Sequence, residues 1–445
     1  MPSGTTRWPA ALALLASLIG FAFGASSTLD YIQHLDRQVH DLHCSFIPGV
    51  EAAKGADTAC RTAMYSPYSA LFRDRYWGGI PISLFAVGAF AFFAAFALYA
   101  LLAGRSAPRR AAHFLLIGGV TPLLVSVGML LLSVLRLGAI CKTCAGIYTA
   151  SALLAIAGIG ALVIDRREVR AAAFATKAPP PHPPNTFTDP AGPGAVGPTL
   201  LDDHDTASPF SPGRERGSIL LLPVWLLALG AFSIVPALLY ASALPSYATY
   251  ISGCGKLEKL TEENGALLKM AGPAAVQPAT LFVDPLCPTC KSFHQRLAAE
   301  GFLDQLDTTL VLFPLDSECN WMLDRPVHPG ACLVSKAILC SEHRAPAVLD
   351  WAYENQEAIL EGAKAAAGNA NVQAMIRQRW PGLDTCMDSK QTSQRLDRML
   401  RYIIDNKLPV STPQMYLGDT RLCDEDTDIG MPYAIRKLAP ALRSK

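Results

Sequence analysis

A chain of 445 residues with 51% hydrophobic and 17% charged residues is longer than one ordinary domain and more apolar than a water-soluble globule. The 38 Lys+Arg against 37 Asp+Glu leave no basic footprint, which excludes a nucleic-acid binder. Twelve cysteines without a His-rich cluster indicate an oxidising compartment rather than a metal site.

The first apolar run, 8–25, follows Arg7 and reads as a signal peptide ending near Gly24-Ala25-Ser26 or as an uncleaved span. The span is preferred, because the charges at all the runs then agree. Further runs at 80–103, 114–135, 140–164 and 218–244 match a bilayer core that needs about 20 apolar residues. Arg7, Arg105, Arg109, Arg110, Arg166, Arg167, Arg170, Arg214 and Arg216 flank the same ends of these runs, which the positive-inside rule assigns to the cytoplasm. Five spans then put the 26–79 loop, the 140–144 end and everything after 245 on the opposite side. All twelve cysteines sort to that side.

Cys44 and Cys60 stand in the outer loop with fifteen residues between them; taken alone they read best as a static structural disulfide. Tyr76-Trp77 then suit a membrane interface. Between the third and fourth spans lies Cys141-Lys142-Thr143-Cys144. Two thiols at this spacing close a small disulfide ring and carry two electrons. At lipid depth such a pair can meet a lipid-soluble electron carrier. Two buried apolar cysteines or a zinc knuckle are the plainer alternatives, but no second ligand pair lies nearby. Arg136 beside the pair is an interface anchor that can also favour a thiolate.

Cys44, Cys60, Ser66, Cys141, Cys144 and Tyr148, in this order, resemble the pattern of the vitamin K epoxide reductase family, as do Ser66-Pro67-Tyr68 and Gly79-Ile80-Pro81. The resemblance covers roughly 8–165. It implies a four-helix bundle around a quinone, with Cys141/Cys144 as the core pair and Cys44/Cys60 as a shuttle. It also implies a quinone site at Cys144, Ser66 and Tyr148. The loop pair is more widely spaced here than is usual in that family.

Residues 166–217 break the apolar pattern, with ten prolines between 179 and 212, and read as an extended cytoplasmic linker. The fifth span, 218–244, returns the chain to the cysteine side, and 245–274 reads as a tether. In the domain 275–445, the stretch 279–284 reads as a buried strand and is followed by Cys287-Pro288-Thr289-Cys290 and a helical pattern. Pro288 suits a first helical turn, so Cys287 falls at a helix N-terminus, where the dipole favours its thiolate. Cys287 is therefore the attacking sulfur and Cys290 the resolving one. A second strand is expected at 308–314, helices at 329–342, 346–360 and 391–406, and a late strand within 410–417. The last helix carries an apolar stripe of Leu396, Met399, Leu400, Ile403 and Ile404.

Strand, Cys-x-x-Cys, helix and a late Thr412-Pro413 resemble the thioredoxin superfamily, and the long helical insertion resembles its DsbA-type members. That likeness implies a cis proline at Pro413, with Thr412 and Pro413 offering backbone groups to a peptide substrate. Cys254, Cys319, Cys332, Cys340, Cys386 and Cys423 allow fifteen pairings; structural disulfides are expected, with Cys254 in the tether as the candidate free thiol.

The expected fold is thus a membrane helical bundle with a fifth span and a soluble α/β thioredoxin-like domain. The expected function is disulfide formation in exported proteins, with electrons passing to ubiquinone or menaquinone in a bacterial plasma membrane and the redox sites on the periplasmic side. Fusion keeps the donor domain concentrated, so no tight docking surface is required. The alternatives are a quinone or epoxide reductase fed by the soluble domain, and a non-enzymatic thiol chaperone or metal carrier.

Overall fold

The computed structural model describes residues 7–35, 58–104, 107–138, 141–175 and 220–443, the side chains of 58–61 and 171–175 excepted. Cys44, Arg105, Arg214, Arg216 and the linker beyond 175 lie outside the described residues. Helices α1 (Trp8–Gln33), α2 (Thr58–Tyr65), α3 (Ile82–Ala103), α4 (Arg110–Leu132), α5 (Lys142–Ala175) and α6 (Leu221–Ala243) make the helical part. Five helices among the described residues, all of these but α2, are long and apolar enough to cross a membrane. No more than 33% of any span window is buried inside the protein. Leu102, Leu124, Leu227 and Leu239 face outward, a surface that suits lipid rather than water.

The chain divides into two compact units. The first comprises Met1–Gly24, Phe85–Leu132 and Cys144–Val235. Its centre is aromatic: Phe90, Phe93, Phe96 and Phe114 are buried, and the Phe96 and Phe114 rings lie 4.7 Å apart. Apolar burial does not hold helices together in lipid; close backbone approach does. A Cβ at Gly88 would collide with the Phe232 carbonyl oxygen, and one at Gly158 would meet that of Leu115 at 2.7 Å. Both glycines let helices touch backbone to backbone.

The second unit comprises Ala25–Leu84, Ser133–Thr143 and Pro236–Lys445. In the outer loop β1 (Ala70–Leu71) pairs antiparallel with β2 (Ile80–Pro81). The main sheet contains β3 (Leu268–Ala271), β4 (Gln277–Val283), β5 (Leu306–Leu312), β6 (Gln414–Leu417) and β7 (Thr420–Arg421) in the order β3-β5-β4-β6-β7. Of the paired neighbours, only β4 and β5 run parallel. A parallel pair needs a crossover, and α7 (Pro288–Ala299) supplies it. Leu281, Phe282, Val283, Leu310, Val311 and Leu312 are nearly inaccessible, as expected for central strands covered on both faces.

Between β5 and β6 lie α8 (Ala331–Ser341), α9 (Ala345–Glu354), α10 (Gln356–Lys364), α11 (Asn369–Arg379), α12 (Asp384–Met387) and α13 (Lys390–Asp405); α14 (Met431–Leu438) closes the fold. Helix α13 begins at Ser389, whose hydroxyl accepts the Thr392 N–H. Its stripe is buried at Leu396, Met399, Leu400 and Ile403, but Ile404 is exposed, one position off the core-facing line.

Three disulfides join Cys254–Cys423, Cys319–Cys332 and Cys340–Cys386. Cys254 is therefore not free. The Leu257 N–H donates to the Asp419 carbonyl at 2.7 Å and the Arg421 N–H to that of Gly255 at 3.0 Å, which lays this segment along the β7 edge and brings Cys254 to Cys423. Further along the same segment β3 becomes an edge strand.

The described segment 58–81 shares the core of this unit. Trp77 is 2% exposed, its ring 5.0 Å from Tyr247 and 5.9 Å from Tyr433, and its Nε1–H donates to the Leu35 carbonyl. Arg73, 5% exposed, donates from Nη1 to the Ser66 carbonyl and to Glu300 after the end of α7. The Arg296 guanidinium lies 5.2 Å from the Tyr65 ring centroid. A dedicated docking surface exists after all, built from an indole, an ion pair and a cation–π contact.

Candidate redox sites

Strand β4 ends at Val283, Asp284 to Leu286 make the turn, and Cys287 caps α7 in an extended conformation (φ −82°, ψ 120°) with Pro288 just inside the helix. Pro288 lacks an N–H where the helix has no use for one. Cys287 is 6% exposed and Cys290, one turn later, 1%. The Thr412–Pro413 peptide is cis, and the Cys287 Sγ lies 3.6 Å from the Thr412 carbonyl oxygen. Cys287, Cys290, Thr412 and Pro413, drawn from two distant stretches of sequence, thus meet at one end of the sheet.

The two thiols titrate apart. A hydrogen bond from the Cys290 thiol, aided by the Cys290 backbone N–H and opposed by burial, lowers Cys287 from 9.0 to about 6. Burial, reinforced by the neighbouring Cys287, pushes Cys290 well up. One sulfur is an available nucleophile at neutral pH, and the other stays protonated until its turn comes. This is the arrangement of a thiol–disulfide oxidoreductase.

Three residues that sequence reasoning missed stand beside this pair. Asp284 is fully buried and accepts the Leu286 N–H and the Leu315 N–H, both at 2.7 Å, and lies 2.8 Å from the His328 Nδ1. Its place three residues before Cys287 was the available signal. Nothing local in the sequence pointed to His328. Tyr353 is buried as well, its ionisation suppressed by burial and by the charges of Cys290, Asp284 and Cys287.

The membrane pair also straddles a helix start. Cys141, 4% exposed, directly precedes α5, and its Sγ lies 3.0 Å from the Thr143 Oγ1. Cys144 is half-buried in the first turn, and Tyr148, four residues on and also half-buried, shares its helix face. Arg136 is exposed on a π-helical turn, Ser133–Leu137. Ser66 follows α2 and is buried; its hydroxyl donates to the Ala63 carbonyl, and its own carbonyl accepts from Arg73 and the Ser69 hydroxyl. Cys60 lies within α2, with its side chain outside the described residues, as is the whole of Cys44.

Residues 11–159 match the profile of the vitamin K epoxide reductase family. Among solved structures the chain is similar to the oxidoreductase DsbA of Xylella fastidiosa (15% identity, 38% of this chain and 89% of that one, TM-score 0.30). It is also similar to alpha-DsbA1 of Wolbachia pipientis (14%, 36% and 77%, TM-score 0.29) and to the catalytic domain of Proteus mirabilis ScsC (19%, 40% and 92%, TM-score 0.27). No curated protein matches the chain.

Proposed function

We propose that this thiol–disulfide oxidoreductase, whose residues 11–159 match the vitamin K epoxide reductase family, forms disulfides in exported proteins and delivers the electrons to a membrane quinone. The observation that carries the reading is the placement of Cys287 and Cys290 at the start of α7, with the Cys287 Sγ 3.6 Å from the Thr412 carbonyl oxygen of the cis Thr412–Pro413 peptide.

In the proposed order, two electrons pass from substrate thiols to Cys287/Cys290, then to Cys44/Cys60, then to Cys141/Cys144 and finally to quinone. A substrate thiolate attacks Cys287 of the oxidised pair and forms a mixed disulfide; the second substrate thiolate displaces Cys287 and leaves the pair reduced. The Cys287 thiolate then attacks the loop disulfide, and Cys290 resolves that second mixed disulfide. Each substrate disulfide releases two protons and two electrons, which reduce one quinone to quinol. Thr412 and Pro413 would hold the substrate backbone. Cys144, Ser66 and Tyr148 would hold the quinone, and the shared helix face of Cys144 and Tyr148 supports a phenol one turn from the reacting sulfur. The five spans and the flanking arginines support a bacterial plasma membrane, with the linker inside and the cysteine-bearing segments in the periplasm. The domains in this reading are 1–165, the linker 166–217, the fifth span 218–244, the tether 245–274 and the soluble domain 275–445, with two adjustments: 166–175 continue helix α5, and Leu268–Ala271 of the tether is the edge strand of the sheet.

The test is anaerobic oxidation of a reduced two-cysteine peptide by the purified full-length chain in lipid, with ubiquinone or menaquinone. One quinol should appear per peptide disulfide. Peptide oxidation that ignores quinone would refute the acceptor; disulfide reduction driven from the membrane side would establish the reductase instead. A stoichiometric metal in the purified protein would favour a carrier.

A further inference from the structure

The redox pair has a charge problem that the Cys-Pro-Thr-Cys segment does not solve. Asp284 is fully buried three residues before Cys287, and its charge opposes ionisation of Cys287, Cys290 and Tyr353 alike. The carboxylate is nonetheless structural, because it ties the turn into α7, through the Leu286 N–H, to the chain leaving β5, through the Leu315 N–H. Pro288 and Thr289 bring no cation. A buried carboxylate beside a working thiolate requires a counter-charge.

We propose that His328 is that counter-ion: a positioning residue that, as an imidazolium, neutralises Asp284 and thereby permits a thiolate at Cys287. Its Nδ1–H donates to the Asp284 Oδ2 at 2.8 Å. The imidazole is held by more than this bond. The backbone N–H groups of Val327 and His328 both donate to the Leu315 carbonyl at 2.9 Å, and the Gly330 N–H donates to the Asp316 Oδ2 at 2.9 Å. The Cys319–Cys332 disulfide closes the segment around them, so the ring is fixed covalently as well as by hydrogen bonds. The groups acting on it come from three elements. Burial and Lys364, in the last turn of α10, oppose the imidazolium, whereas Asp284, just after β4, and Cys287, at the start of α7, favour it and together raise the imidazole above its ordinary range. The arrangement is reciprocal: whatever the thiolate does for the imidazolium, the imidazolium does for the thiolate.

This inference rests on Cys287 as the attacking sulfur, not on the route of the electrons afterwards. Its test is therefore the rate of Cys287 alkylation by iodoacetamide across pH, read by peptide mapping on the reduced full-length protein in detergent. His328→Asn places a side-chain N–H where Nδ1 stood but cannot carry charge. The wild-type rate should be half-maximal near 6, where Cys287 titrates. In H328N the midpoint should rise by about one unit or more, a rate loss of about fivefold at pH 6, while the rates converge near pH 10, where Cys287 is ionised in both proteins. An unmoved midpoint overturns the proposal, and so does an equal loss at every pH, which would make His328 a packing residue. As a second readout, oxidation to the Cys287–Cys290 disulfide should lower the titration midpoint of the His328 imidazole in NMR; an unchanged midpoint equally counts against the proposal. Loss of quinone-linked turnover with an intact wild-type alkylation profile would refute the electron route and leave this inference standing.

Discussion

Replacing Cys290 by Ala removes the largest influence that lowers Cys287, the hydrogen bond from the neighbouring thiol. With Cys287 at about 6 rather than 9.0, about ten in eleven molecules hold the thiolate at pH 7, against about one in a hundred for the unshifted group. Relative to an unshifted thiol the reduced pair gains about 1.4 kcal/mol at pH 7, so its disulfide is about 30 mV more oxidising. The sign follows from the depressed value. The stabilisation is complete above pH 9.0 and is lost as pH falls through about 6. It reaches about 4 kcal/mol at the alkaline end. In C290A the backbone N–H of residue 290 remains but the thiol donor is gone, so the Cys287 midpoint should rise by at least about one unit. Thiolate absorbance at about 240 nm, followed across pH, reads the change directly. A wild-type midpoint near 9, or a C290A midpoint still near 6, would refute the account of how Cys287 is activated.

Losing both Cys44 and Cys60 should leave Cys287/Cys290 reduced while quinone still oxidises Cys141/Cys144, as read by acid quenching, alkylation and mapping; full quinone-linked oxidation of Cys287/Cys290 would return the loop pair to a structural bridge. Engineered cysteines near Ser246 and Gly55 should label from outside intact spheroplasts, and those near Ala107 or Ala195 only after lysis; external labelling at Ala195 would overturn the five-span topology. Replacing Cys340 by Ser opens a bridge with a sequence separation of 46, which chain-entropy reasoning values at about 4 kcal/mol. Denaturant unfolding should show a loss of about that size, and a loss below about 1 kcal/mol would mean that the surrounding helices hold without the bridge.

The part of the site that was legible in the sequence is the part written locally. A buried apolar run, two cysteines three positions apart and a proline between them specify β4, its turn and α7 within twenty-three residues, whereas the cis Thr412–Pro413 peptide was expected only from the likeness to the thioredoxin superfamily, cis X–Pro bonds being a minority. The His328–Asp284 bond joins positions 44 apart, and no periodicity encodes it. The same holds for the disulfides: Cys254 and Cys423 are separated by 169 positions and meet because backbone bonds lay one segment against β7. Strand β3 escaped notice because Lys269 interrupts its four residues and only Leu268 is buried, a pattern too short for a period to emerge. Helices α11 and α12 were missed within a stretch where helix follows helix through brief turns, and α14, eight residues long after β7, carries too few turns for a period to stand out. The expectation that no docking surface was needed failed for a different reason. Trp77 reads equally well as an interface anchor and as a buried contact, and only the partners Tyr247 and Tyr433 decide between them.

The Arg73–Glu300 ion pair spans 227 positions, and the Pro-rich segment falls between its two ends. Covalent continuity and structural continuity therefore run along different lines in this protein. A peptide-bond break within 176–219 would divide the polypeptide, yet Tyr31, Leu35 and Trp77 on one piece would still share a core with Ile429 and Tyr433 on the other. Within that unit the indole of Trp77 among its tyrosines and the buried Arg73–Glu300 pair join the two pieces without any peptide bond between them.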